Sequence, residues 1–270
     1  GGSTQGRPVL YCRRRGAPRM ENTMSPARCP RVPLLALALL GGCSSGGAGA
    51  DLGDPGGRAD MALPPTGNPL WGRRVGGAAF DAGGDVAVTG KGGAVLCGTV
   101  EGRVDLGGGP ADGAGGYDAF VATFDLSGEP RWSRRFGGPG PDRALSAAVD
   151  REGNVLVTGS FSGAVDFGGG ALQSAGGTDV FLVKLGPDGA HLWSRRLGAS
   201  GDDAAYRVAV DAQGNAVLAG SFRGMVDFGG GPLVSAGGAD GFVARFSAAG
   251  APLWSRAFGD AQDDGAFALA

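Results

Sequence analysis

Residues 132–192 read WSRRFGGPGPDRALSAAVDREGNVLVTGSFSGAVDFGGGALQSAGGTDVFLVKLGPDGAHL, and residues 193–253 follow without a gap as WSRRLGASGDDAAYRVAVDAQGNAVLAGSFRGMVDFGGGPLVSAGGADGFVARFSAAGAPL. The two stretches are one 61-residue unit written twice. Working outward, a more diverged copy starts at Trp71 and a partial one at Trp254, so the chain's four tryptophans, Trp71, Trp132, Trp193 and Trp254, stand at one spacing. A fixed period of this length marks a tandem structural unit and decides the architecture before any local pattern is read. Other columns are invariant: Asp81, Asp142, Asp203 and Asp264; Gly76, Gly137, Gly198 and Gly259; Arg73, Arg134, Arg195 and Arg256. Three-fold columns add Asp105, Asp166 and Asp227, each one residue before a glycine triplet's leading apolar neighbour; Asp118, Asp179 and Asp240; and Phe120, Phe181 and Phe242.

Within a unit the pattern is β. Ala144–Val149 alternates, and 150–154 (DREGN) is a turn. Val155–Phe161 is β-branched and apolar, Val180–Leu185 is a third strand, 186–189 (GPDG) a second turn, and His191–Leu197 a fourth strand. The glycine-rich excursion from Ser162 to Gly177 reads as a longer hairpin or an Ω-like loop. No stretch after residue 50 keeps a 3.6-residue period. The expectation is an all-β chain: a β-propeller of 61-residue repeats, each a four-stranded antiparallel blade, with three full units and a partial one. The tryptophan of the fourth strand is expected to fill the space between adjacent blades, an indole burying on the order of 150–250 Å².

Three linked motifs carry a family resemblance: W-S-R-R-F-G-G-x-G-x-D from Trp132, A-V-D-x-x-G-N-V-x-V-T-G from Ala148, and D-x-F-L-V-K-L from Asp179. In these the chain resembles the bacterial SBBP-type β-propeller repeats, from about Leu70 onward. The resemblance implies a propeller in exported or surface proteins, with no catalytic residues and no defined ligand. The repeated G-x-V-D-F-G-G-G insert departs from it. Residues 124–132 (FDLSGEPRW) also resemble quinoprotein-type repeats and the lipoprotein propeller subunit of the outer-membrane barrel-assembly machinery.

The N-terminal part reads as an address. Residues 1–23 are an upstream or non-native extension before Met24, and 24–42 form a signal peptide with Arg28 and Arg31 ahead of an apolar run, Pro33–Leu40. That run is too short for a bilayer, which takes about 20 residues. Leu40-Gly41-Gly42-Cys43 resembles a lipobox, which implies that Cys43 is lipidated and the preceding peptide removed; the other reading is an ordinary secretory signal. Residues 43–67 form a flexible tether rich in Gly, Ala and Asp, and 68–270 hold the repeats, with units starting near 71, 132, 193 and 254. These features point to a cell-envelope lipoprotein anchored in the outer membrane. The tryptophan strand at Asn68–Val75 would complete the last blade, and the propeller is expected to continue beyond Ala270.

Glycine makes up 57 of 270 residues, but its periodic placement argues against disorder. Seven of the 24 basic and one of the 26 acidic residues precede Cys43, leaving 17 basic against 25 acidic residues and a net charge of −8. That charge disfavours nucleic acid and anionic lipid surfaces and allows cations. Cys97 is left as a single thiol after processing and reads as a small core residue.

The Asp142, Asp203 and Asp264 column, with Asp202 and Asp263 beside it, has two readings. Calcium would need 6–8 oxygens, whereas each loop offers one or two carboxylates; the alternative is a side chain capping its own turn. The Asp105 series either binds a ligand at the rim or organises the insert. The arginines on the tryptophan strand either recognise anions, or pair with these aspartates and cover an edge. His191, the one histidine, stands where Pro130 and Pro252 stand in neighbouring units, so the repeat frame does not call for histidine there and it reads as an exposed strand-entry residue. One histidine makes no zinc cluster, and nothing near it in sequence suggests a Ser-His-Asp set. No catalytic residue is assigned. The function expected is a binding or scaffold module with a protein or glycan partner and its contacts in variable loops. The alternatives are a propeller enzyme (a lyase, a glycosidase or a quinoprotein-like one) with its site in other blades, or a subunit of an outer-membrane assembly complex.

Overall fold

The computed structural model describes residues 71–269. The extension 1–23, the signal 24–42, Cys43 and the tether 43–67 lie outside the described residues. Among the described residues there is no helix; all regular structure is antiparallel strand.

The first sheet takes β1 (Asp81–Val88), β2 (Ala94–Glu101), β5 (Tyr117–Phe124) and β6 (Pro130–Phe136), in that order, with β3 (Val104–Asp105) and β4 (Pro110–Ala111) as a separate two-stranded ribbon. The second takes β7 (Arg143–Val149), β8 (Val155–Phe161), β11 (Asp179–Leu185) and β12 (His191–Leu197), again with a small ribbon, β9 (Ala164–Asp166) and β10 (Ala171–Gln173). The third comprises β13 (Ala204–Val210), β14 (Ala216–Asp227), β15 (Pro232–Phe246) and β16 (Pro252–Phe258), and here the ribbon is continuous with the long strands β14 and β15. The glycine-rich excursion is therefore a hairpin in all three sheets. Its turn is set by one carboxylate: Asp166 Oδ1 accepts from the backbone N–H of Gly168 at 2.7 Å and of Gly170 at 3.0 Å, and Asp105 and Asp227 do the same in their units.

Each strand junction has a local cause. Between β7 and β8, Asp150 Oδ1 accepts the Asn154 N–H at 2.8 Å, while Gly153 supplies a left-handed φ of 85° that a side chain would strain. In β8 the alternation of side chains sends neighbours to opposite faces. Val155 and Val157 join a core with Val95, Cys97 and Val121 of the first sheet, whereas Leu156 joins a core with Leu218, Phe222 and Phe242 of the third. The middle sheet is thus buried on both faces, and the three sheets stack face to face. Their first strands, β1, β7 and β13, touch in sequence.

The first segment differs from expectation. Trp71–Val75 is not a strand; it lies across the first sheet, with Trp71 and Val75 packed on the core of Leu96, Phe120 and Phe124. No strand among the described residues stands beside it to supply a ladder. At the other end, the segment after β16 is tied to the third sheet through the Asp264 N–H on the Ala239 carbonyl at 2.6 Å, the Ala266 N–H on the Gly220 carbonyl at 3.1 Å, and Phe267 stacked on Tyr206.

Candidate functional site

Two sets of contacts join the sheets, and they separate frame from candidate site. The first set recurs. The indole N–H of Trp132 donates to the Pro187 carbonyl at 2.8 Å, and that of Trp193 to the Ala248 carbonyl at 3.1 Å. Two residues on, Arg134 and Arg195 donate to the carbonyls of Gly189 and Gly250, each at 3.1 Å, and Arg73 donates to Gly128 at 3.0 Å. Each indole lies on its glycine: a Cβ on Gly189 would stand 2.7 Å from the Trp132 ring, and one on Gly250 3.0 Å from the Trp193 ring. So Trp-x-Arg on a fourth strand clamps the last turn of the next sheet. On the tryptophan strand the Arg73 series thus bonds the bare glycine carbonyl of the adjacent turn, while pairing with aspartates falls to the next arginine, Arg135 with Asp118 and Arg196 with Asp179. Trp254, 37% exposed, has no such turn beside it among the described residues, and Arg256 donates to the carbonyl of its own neighbour, Ser255.

The Asp81 column caps turns. Gly138 N–H donates to Asp142 Oδ2 at 2.8 Å and Ser162 N–H to its Oδ1 at 3.2 Å; Asp203 receives Ala199 and Arg223 in the same way, Asp264 receives Asp260, and Asp81 receives Gly77. Asp202 Oδ1 accepts from Thr178 N–H at 3.0 Å, and Asp263 Oδ1 from Ala239 N–H at 2.8 Å and Arg223 at 3.0 Å. Oxygens that accept N–H bonds are turned towards donors rather than towards a common centre. Among the described residues no three acidic, histidine or cysteine side chains gather as a metal site. Cys97 is fully buried, and burial pushes its thiol pKa up.

Beside these caps lies a second carboxylate that sequence reading left unplaced. Asp118 and Asp179 are fully buried; Arg135 Nε donates to Asp118 Oδ2 at 2.7 Å and Arg196 Nη1 to Asp179 Oδ2 at 3.3 Å, but the Oδ1 atoms have no partner. Asp179 Oδ1 and Asp203 Oδ2 both lie within 2.8 Å of where a Cβ on Gly198 would be, which explains that glycine column. Burial, with the nearby Asp118 or Asp179 charge adding to it and the N–H bonds opposing it, raises Asp142 and Asp203 to about 6 from an ordinary 3.8. For a raised carboxylate the contribution to stability is full below the unfolded value, near 4, and is lost as pH climbs through about 6. Burial also acts upward on Asp211, but hydrogen bonds from Asn215, Arg245 and Gln213 outweigh it and hold the group at about 2, so its contribution persists down to strongly acid pH. The melting temperature is expected to fall as pH rises from about 4.5 to about 7 at fixed ionic strength; thermal scans that climb steadily to neutrality would contradict the buried-pair assignment.

The non-recurring contacts sit on the first strands. A bulge follows Gly83, Ala144 and Ala205, and the residues after it, Asp85, Ser146 and Arg207, occupy one column with three chemistries. Ser146 Oγ donates to Asp85 Oδ2 at 2.7 Å, Val208 N–H donates to Ser146 Oγ at 3.2 Å, and Arg207 Nη1 reaches the Leu145 carbonyl at 3.5 Å. This network ties three sheets together. With no histidine beside it, Ser146 lacks the base of a hydrolytic set.

Above the same bulge, between β1 and β7, opens a cleft of ≈ 270 Å³ walled by Phe80, Thr99, Tyr117 and Arg143, with the backbone of Gly83 and Gly84 along one side. Phe80 and Tyr117 meet edge to face at 5.4 Å, and the Arg143 guanidinium lies 5.4 Å from the Tyr117 ring centre. Sequence reading missed these residues because it followed invariant columns. Their signal was variability: Arg143 aligns with Ala82 and Ala204, and Tyr117 with Thr178 and Ala239. His191 has a packing role; it lies over Gly168 and Gly169 of the ribbon, as Pro130 lies over Gly107.

No protein-family model matches the chain. Over 120 residues it is 31% identical to the Uncharacterized WD repeat-containing protein L264 of Acanthamoeba polyphaga mimivirus, a match that takes in 40% of this chain and 9% of that protein. The chain thus spans less than a tenth of the curated relative it matches. Among solved structures it aligns with a protein of unknown function from Bacteroides caccae at a TM-score of 0.34 and 13% identity, over 66% of this chain and 47% of that one.

Proposed function

We propose that the described residues form successive blades of a β-propeller of the SBBP-repeat type, and that this body is a binding or scaffold module carried by a lipoprotein of the bacterial cell envelope. The observation that carries the proposal is the stacking: three four-stranded antiparallel sheets lie face to face with their first strands in contact, and the same Trp-x-Arg clamp joins one to the next. Propeller blades are four-stranded sheets of this kind, each burying its faces against its neighbours around an axis. The 61-residue period and the WD-repeat name of the viral relative support the same architecture, since WD repeats are propeller blades of about 40–45 residues. A binding role is supported by the contrast between the recurring frame and the variable cleft beside it. The envelope address rests on Leu40-Gly41-Gly42-Cys43. Cells expressing the chain with labelled palmitate are expected to yield a labelled membrane-bound protein, and Cys43→Ser a label-free one in the soluble fraction. A wild-type chain that takes no label and fractionates as soluble would rule the anchor out.

A further inference from the structure

The cleft between β1 and β7 holds one charge, and among the described residues no carboxylate pairs with it. Arg143 is exposed and, among the described residues, has an aromatic ring beside it and no carboxylate. The other cleft walls are apolar or neutral: Phe80, 55% exposed, Tyr117, the Thr99 hydroxyl, and the Gly83–Gly84 backbone. Because the register of β1 shifts between Gly83 and Asp85, the peptide groups of Gly84 are left out of the β1–β2 ladder and can meet a ligand. At Gly84 the two sheets approach closely; a Cβ there would stand 2.4 Å from the Ala144 carbonyl.

At the matching places of the second and third sheets an acidic side chain bonds the strand end that Tyr117 occupies in the first. Thr178, the counterpart of Tyr117, is capped by Asp202, and Ala239, the next counterpart, by Asp263, which also takes Arg223. At the first junction these carboxylates are replaced by Pro141, and the space is open. A guanidinium prefers a carboxylate bound through two parallel N–H bonds, and a ring held beside it gains from aromatic walls. The size fits a small group, since ligand clefts commonly run from about 300 to 1,000 Å³.

We propose that this cleft binds a carboxylate carried on a single six-membered ring, with Arg143 as the anion receptor and Phe80 and Tyr117 as the ring walls. A uronic-acid unit of a glycan is the source favoured by the Thr99 hydroxyl and the exposed Gly84 backbone at the register shift, which suit ring hydroxyls. The proposal rests on the binding-module reading above and names its ligand class.

The test is titration of the full chain with galacturonate, galactose and benzoate, followed by ligand-observed NMR. Galacturonate is expected to saturate, with galactose at least tenfold weaker. Arg143→Gln is expected to weaken galacturonate tenfold or more while leaving the melting temperature unchanged, and Arg151→Gln, in an exposed turn, to leave binding unchanged. Saturation by benzoate alone would keep the ring carboxylate and replace the sugar as its source. No saturation by either acid, or equal binding by the Arg143→Gln protein, overturns the proposal. The palmitate experiment reads the envelope module separately, so a cleft that binds neither acid in a lipid-labelled protein refutes the ligand class and not the parent reading.

Discussion

Replacing Trp193 by alanine is expected to destabilise the protein by about 3 kcal/mol, the lower part of the range for losing a large aromatic from a packed site. Two losses combine. The indole is packed against the core shared by the second and third sheets, and its N–H bond to the Ala248 carbonyl disappears. Beneath it, Gly250 would be left facing a gap that only the indole filled, its left-handed φ of 77° still holding the turn. Trp254 occupies the same column, yet it is 37% exposed, and among the described residues no turn of a further sheet lies beneath it. Trp254→Ala in this chain is expected to change stability by less than about 0.5 kcal/mol, as for ordinary surface positions. Urea unfolding of both variants checks the pair. Equal losses would mean that the tryptophan acts within its own sheet and that the clamp between sheets contributes nothing.

That pair also shows how far the sequence could be read. The four tryptophans and the invariant arginines two residues later are visible in any self-alignment, as are the glycines of the last turn in each unit. What the alignment does not contain is which column meets which. Trp132 meets Gly189, 57 residues on and in the next sheet, and that pairing exists only once the sheets are stacked. Strands such as Val155–Phe161 and His191–Leu197 were legible to the residue because β-branched runs and turn glycines are local signals. The insert was legible as a hairpin or loop but not as part of the third sheet's ladder. There the pairing passes through a shift between Arg223 and Met225, at Gly224, whose left-handed conformation (φ 80°) recurs at Gly102 and Gly163, where the ribbon is separate from the sheet. The buried Asp118 and Asp179 looked like one more acidic column. Their meaning, an oxygen without a partner beside a second carboxylate, depends on burial, which no column shows. The cleft was least legible of all. Repetition rewards attention to what stays constant, whereas Phe80, Tyr117 and Arg143 stand out only by differing from their counterparts.

The sharpest expectation concerns a glycine with no special dihedral angle. Gly159 lies in the middle of β8 opposite Ala144, immediately before the bulge in β7. On propensity alone, glycine in a strand interior costs roughly 0.5–1 kcal/mol relative to alanine, so Gly159→Ala would stabilise an ordinary strand by that amount. Here the sign is expected to reverse. A Cβ at this position would stand 1.8 Å from the Arg143 carbonyl oxygen, and the counterparts Gly98 and Gly220 would meet the Ala82 and Ala204 carbonyls at 2.2 and 2.0 Å. The obstructing atoms are backbone, held by the β7–β8 ladder, so no rotamer change relieves the overlap. Either the bulge flattens or the two strands part, and both disturb the network from Asp85 through Ser146 to Val208. Gly159→Ala is expected to cost about 3 kcal/mol, the upper part of the usual range for overpacking. Gly163→Ala supplies the comparison: its φ is 71°, but nothing lies within 4 Å of its Cβ position, so only the left-handed conformation is penalised, at about 1 kcal/mol. If chemical denaturation ranks Gly163→Ala as the more damaging, or finds Gly159→Ala more stable than the parent, the close approach of β7 over β8 is not present in solution. The bulges that aim Asp85, Ser146 and Arg207 at one another would then lose their structural cause.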